Sequence, residues 1–160
     1  LHRCLHSFPT RRSSDLPSCD VKSIVKLYDP TDEEFIPSLH ADFIIDAIDD
    51  VPAKVAMAIC CWKHKVPEIS SMGTGNRLHP ELLEISDIYK TSVCHLARKM
   101  RKALKESRVR RLPVVYSREP AHKIIGEGYQ PGSISFVPPV SGMLMAGYVI
   151  REILKKKGIQ

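Results

Sequence analysis

The sequence predicts an α/β fold, a mixed and mainly parallel sheet with helices on its faces, and three observations carry that prediction. Short apolar runs alternate with segments of helical period along the chain. Prolines and glycines fall at the joints between them, as at Pro52, Gly73, Gly75, Pro113 and Pro138. The third observation is that one stretch, Phe43 to Asn76, contains a β-α-β unit: an apolar run ending in Asp46, Asp49 and Asp50, a helical segment, and a second run from Val66 to Ser70 that stops at Gly73 and Gly75. A buried parallel strand reads as an uninterrupted apolar run. The middle segment instead spaces Val55, Ile59 and Trp62 as a helix face, with Pro52 in its first turn.

The remaining elements follow in order. Val21 to Leu27 alternates imperfectly and predicts a strand, and Asp29 to Glu34 predicts a turn into a short helix around Phe35 to Leu39. Beyond Gly75 a loop leads to a short strand at Leu82 to Ile85. Val93 to Glu106 sets Val93, Leu96, Ala97, Met100 and Leu104 at amphipathic spacing, leaving a strongly basic outer face. Leu112 to Tyr116 predicts a strand, with Pro113 at its start or at an edge. After a turn-rich excursion from Ser117 to Gly132, Ser133 to Val137 predicts another strand. Pro138 to Lys156 predicts a last helix with Met143, Leu144, Gly147, Ile150 and Leu154 on its packing face.

With 160 residues and an ordinary share of apolar side chains, the chain suffices for one domain with a sizeable core. Its five cysteines form no CxxC pair, and Cys60 and Cys61 sit side by side within a helix, which suits neither a disulfide nor zinc. A reducing cytoplasm is the expected setting. No apolar run reaches the roughly 18 residues of a membrane span.

Residues 1–17 are set apart. Their text, LHRCLHSFPTRRSSDLP, lacks periodicity, and SFPTRRSSDL resembles a translated sequencing adapter joined to a truncated reading frame rather than a transit peptide. The expected domain is therefore 18–160. Leaving out Arg3, Arg11, Arg12 and Asp15 removes three cations and one acid, so the formal charge falls by two from +6 and the chain stays basic.

Ligands of open α/β sheets sit beyond the carboxyl ends of the strands, which directs attention to the acids after Ile45. Asp49 could bind a hard cation there, or cap the helix that follows; Asp50 is the expected cap, and Asp46 lies within the strand. Lys54 in the first helical turn either points to solvent or reaches a phosphate. Cys94 near a helix start could be an activated thiolate. His40, His64, His79, His95 and His122 show no metal-binding spacing. From Arg98 to Arg111 stand Arg98, Lys99, Arg101, Lys102, Lys105, Arg108, Arg110 and Arg111, with Glu106 the one acid among them. Such a run is either a solvated face or a contact for a phosphate backbone.

Five blocks, FIIDAIDDVPAK, PEISSMGTGN, DIYKTSVCHLARKMRKAL, LPVVYSREP and PGSISFVPPVSGMLMAGYVI, together resemble the tRNA threonylcarbamoyladenosine dehydratases. These belong to the ThiF/MoeB-like adenylating enzymes of the ubiquitin-activating type. The resemblance runs from about Asp20 to Leu154 and implies the carboxyl-terminal half of a ThiF-type, partly Rossmann-like fold. It implies ATP and Mg2+ as cofactors, tRNA as substrate, a homodimer, and a sulfur-relay or carrier-protein partner. In such enzymes ATP adenylates the threonylcarbamoyl carboxylate beside the anticodon, and loss of AMP closes a ring. The resemblance makes Asp49 the catalytic and metal-binding acid, puts Asp49, Asp50 and Lys54 near the nucleotide, and gives Arg98, Arg101, Lys102 and Lys105 to RNA. The family's glycine-rich phosphate loop is expected before Val21; Gly73-Thr74-Gly75 is too short to replace it. Two other readings stay open: a non-catalytic fragment, and an enzyme adenylating a small carrier protein, against which the missing CxxC pairs speak.

Overall fold

The computed structural model describes residues 18–122 and 132–159. Their elements are α1 (Phe35–Ser38), β1 (Ile44–Asp46), α2 (Val51–His64), β2 (Glu68–Ser71), β3 (Leu83–Asp87), α3 (His95–Glu106), β4 (Pro113–Ser117) and α4 (Val137–Lys156), with single 3-10 turns at Pro80–Leu82 and Ile88–Lys90. The sheet order is β1-β2-β4-β3. β1, β2 and β4 are parallel, and β3 runs antiparallel to β4. The predicted mixed, mainly parallel α/β class is the fold observed.

The expected β-α-β unit forms as β1-α2-β2, with Ile44 opposite Glu68 and Asp46 opposite Ser70. Pro52 fits the first turn of α2 because an amide there lacks a helical partner in any case. One face of the sheet is covered by α2 and α3, whose Ala58, Ala97, Met100 and Leu104 pack with Val114 and Tyr116. The other is covered by α4, whose Val137 and Met145 meet Ile69, Leu83 and Val115. Met100 and Leu104 are fully buried, a gain of about 1.5 to 3 kcal/mol each over exposure.

Several expectations need correction. Val21 to Leu27 is not a strand; Val25 and Leu27 are almost fully exposed, and among the described residues no neighbouring backbone pairs with the segment. Ser133 to Phe136 is an irregular turn and Val137 already opens α4, because Pro138 and Pro139 suit a first helical turn and could not donate to a sheet ladder. Pro113 does begin its strand, yet β4 lies inside the sheet rather than at an edge. Trp62 points outward, and Val93 lies before the helix and is half exposed. On α4 the inward row is Val137, Ser141 and Met145, whereas Met143 and Ile150 face solvent. Apolar side chains surround α4, so periodicity alone does not choose its packing face. Residues 1–17 lie outside the described residues.

Candidate functional site

β1, β2 and β4 all end on the same edge of the sheet, and this edge collects the polar side chains. Asp50 has extended backbone (φ −130°, ψ 121°), and its Oδ2 accepts from the Ala53 amide at 2.8 Å. It is the helix cap, as the sequence suggests, worth about 1 kcal/mol. Asp46 is buried: Oδ1 accepts from the Ile48 amide at 3.1 Å, and Oδ2 accepts from the Ser70 hydroxyl at 2.5 Å. Asp49 stands between them, exposed, and takes part in neither arrangement.

Lys54 departs from both sequence expectations, since it reaches neither solvent nor an open edge. It is 1% exposed, with Nζ 2.8 Å from Asp46 Oδ2. The contact is an ion pair without hydrogen-bond geometry, so the ammonium is held mainly by charge. Glu68 on the same sheet face is also buried, and neither carboxyl oxygen finds a hydrogen-bond partner among the described residues. Burial, reinforced by the nearby Asp46 charge, pushes the pKa of Glu68 up to about 8. Burial beside Glu68 likewise pushes the Cys61 thiol up, which leaves it inert.

A second assembly, not anticipated, braces the loops after β2 and β4. Arg77, 4% exposed, donates from Nε to the Glu119 carbonyl at 3.0 Å and from Nη1 to the Gly73 carbonyl. The Glu119 carboxylate accepts from the amides of Leu78 at 3.1 Å and His79 at 3.0 Å, and pairs with His122 Nε2 at 3.0 Å. Burial raises its pKa, but these bonds together outweigh burial and hold it below the usual carboxylate value. Gly73 and Gly75 open this braced loop and lead to a 3-10 turn at Pro80, not to an α-helix. Among the described residues they do not form a phosphate cradle at a helix N-terminus.

The basic run divides in two. Arg98, Lys99, Lys102 and Lys105 are exposed on the outer face of α3, opposite Ala97, Met100 and Leu104. Arg101 turns inward, where its guanidinium donates to the Thr91 carbonyl at 3.0 Å and to the Thr91 hydroxyl, so it ties α3 to the preceding turn. Cys94 precedes α3 and is 5% exposed, without a capping hydrogen bond. No group of three or more His, Cys, Asp or Glu side chains among the described residues is disposed around a metal position. No helix among them is long and apolar enough to cross a membrane.

The described residues form a mixed, mainly parallel α/β sheet with helices on both faces, and the comparisons narrow that class. No family model matches the chain. The tRNA threonylcarbamoyladenosine dehydratase of Bacillus subtilis is 31% identical over 156 residues, covering 87% of this chain and 61% of that protein. The Escherichia coli enzyme of the same name is 32% identical over 89 residues, 56% of this chain and 33% of that protein. The solved Escherichia coli structure described as that dehydratase, TcdA, in complex with AMP superposes with a TM-score of 0.83 at 24% identity, covering 94% of this chain and 64% of that one. The chain is thus related to the tRNA threonylcarbamoyladenosine dehydratases and matches part of their fold. It spans about three fifths of the length of the Bacillus subtilis relative.

Proposed function

We propose that this chain contributes part of an ATP-dependent cyclisation of threonylcarbamoyladenosine in tRNA, with the nucleotide beyond β1 and RNA on α3. The observation that carries the reading is the 31% identity over 156 residues to the Bacillus subtilis dehydratase. ATP supplies the activation, turning a carboxylate oxygen into a group that leaves with AMP. Asp49 is the residue assigned to Mg2+, a cation that takes one or two carboxylates and completes its shell with water and phosphate oxygens. Asp50 is committed to its cap and contributes charge at most. Lys54 serves Asp46 rather than phosphate. Among the described residues this reading gives the metal one carboxylate, Asp49, and no phosphate cradle is supplied. No catalytic step is therefore assigned to the 160-residue chain alone, which we read as inactive by itself. The same lack favours the second reading, a non-catalytic piece that pairs with a partner polypeptide.

Partners in this reading are tRNA and a second copy of the chain, in a reducing cytoplasm that suits free Cys60, Cys61 and Cys94. Arg98, Lys102 and Lys105 carry phosphate contact, and Arg101 supports them from beneath. The triple variant R98A/K102A/K105A is expected to weaken tRNA binding and to flatten its log–log salt slope by about 0.7 to 0.9 per lost contact. Binding titrations across a salt series measure both. Unchanged affinity and slope would remove RNA from this face.

A further inference from the structure

At the opposite edge of the sheet, where β1, β2 and β4 begin, lies a groove of about 580 Å³. Its volume suits a ligand of nucleotide size. Three aromatic residues line it: Phe43 and Tyr148, which meet edge to face with centroids 6.1 Å apart, and Trp62, 43% exposed. Lys65, Arg111 and Lys156 also line it, all exposed. The acids nearby offset them in part, because Glu152 also lies close to Arg111 and Lys156. Glu152 pairs with Lys155 at 2.9 Å, and both Glu68 carboxyl oxygens are enclosed. Glu68 is also mostly protonated at neutral pH, since burial pushes its pKa up to about 8.

Position decides what such a groove would take. Arg111 is both a groove residue and the last cation of the run that begins on α3, with Arg108 and Arg110 exposed between. A path of positive charge therefore leads from the α3 face to an apolar, aromatic recess. Several exposed cations leading to an aromatic surface match a single-stranded nucleic acid, whose phosphates repeat and whose bases all present a flat π face. An acidic peptide would satisfy the cations but would have no general use for the ring.

Building on the RNA reading above, we propose that this groove receives an unstacked base of the bound RNA. The base lies against Trp62, and its flanking phosphates contact Lys65, Arg111 and Lys156. The groove thereby anchors RNA at the edge of the sheet remote from Asp49. It fixes how the strand crosses α3 without touching the reacting group.

Trp62 is the chain's single tryptophan, so its emission reports on this place alone. The experiment titrates the full chain with tRNA and with an oligouridylate of about ten residues, following binding by anisotropy of labelled RNA and the groove by Trp62 emission. Quenching in step with binding is the expected result, together with an affinity for W62A weaker by about fivefold to 150-fold, the range set by stacking one base on an aromatic ring. K65A/R111A is expected to flatten the salt slope while the quench persists at saturation. RNA that binds with unchanged Trp62 emission, and with equal affinity for W62A, would overturn the groove and leave the α3 reading standing. Absence of all RNA binding would overturn both. A Trp62 response to polyglutamate with none to RNA would assign the groove to an acidic protein and also overturn the proposal. Because Trp62 is substantially exposed, W62A is expected to fold, which a circular dichroism melt checks.

Discussion

The two edges of this sheet are built on opposite plans. At the carboxyl edge nearly every polar side chain is already engaged: Asp46 with Lys54 and Ser70, Asp50 with Ala53, Arg77 and Glu119 with the loop backbone. Among the described acids of this edge, exposed Asp49 is the one outside these bonds. The amino edge has an open recess with exposed cations and exposed Trp62. The difference teaches that one edge spends its charges on holding backbone in place, presenting a single carboxylate in a rigid frame, whereas the other keeps its charges available for a partner.

Removing a charge from each edge should therefore have unequal consequences for folding. Lys54→Met leaves Asp46 as an uncompensated buried carboxylate and is expected to cost about 3 to 5 kcal/mol in urea denaturation. Lys65→Ala at the opposite edge should cost almost nothing by the same measurement. Equal effects would erase the contrast.

Glu68 sharpens the contrast through pH. Its folded pKa, about 8, lies above the ordinary carboxyl value of 4.5, so the folded state holds the proton more tightly. That contribution to stability is full below pH 4.5 and is lost as pH rises through 8. Glu68→Gln cannot ionise. It should match the parent near pH 4 and exceed it by roughly 3 to 5 kcal/mol near pH 9, since a tenfold difference in proton affinity between the folded and unfolded states is worth about 1.4 kcal/mol. Parallel stability profiles across that range would mean that Glu68 does not titrate inside the fold.

The brace at Glu119 gives a smaller effect than either buried charge. Glu119→Ala strands the amides of Leu78 and His79 and should cost about 1 to 3 kcal/mol. Hydrogen exchange should rise at those two amides while α3 stays protected. Exchange unchanged at Leu78 and His79 would show that the carboxylate is not their partner.

How far these features could be read beforehand depended on whether their cause is local. The α3 stripe was legible because its outer positions are charged and its inner ones apolar, and Asp50 was legible because capping depends on the next three residues. Lys54 was not, since its burial rests on a partner one strand away, although a glutamate interrupting β2 and an aspartate ending β1 do signal a buried charge group. Arg77 and Glu119, 42 positions apart, meet only once β2 and β4 are adjacent. The faces of α4 are apolar on more than one side, so only the sheet selects Met145 over Met143.

The central proposal is that Asp49, alone among the described carboxylates of this edge, is left for the nucleotide and its metal. The most direct measurement is AMP formation from ATP with threonylcarbamoyl-modified tRNA, by the 160-residue chain and by that chain fused to the part of the Bacillus subtilis relative that it does not span. The chain alone should form no AMP, the fusion should, and Asp49→Ala in the fusion should abolish it without lowering the melting temperature. AMP formation by the chain alone, or full activity of the Asp49→Ala fusion, would contradict the account.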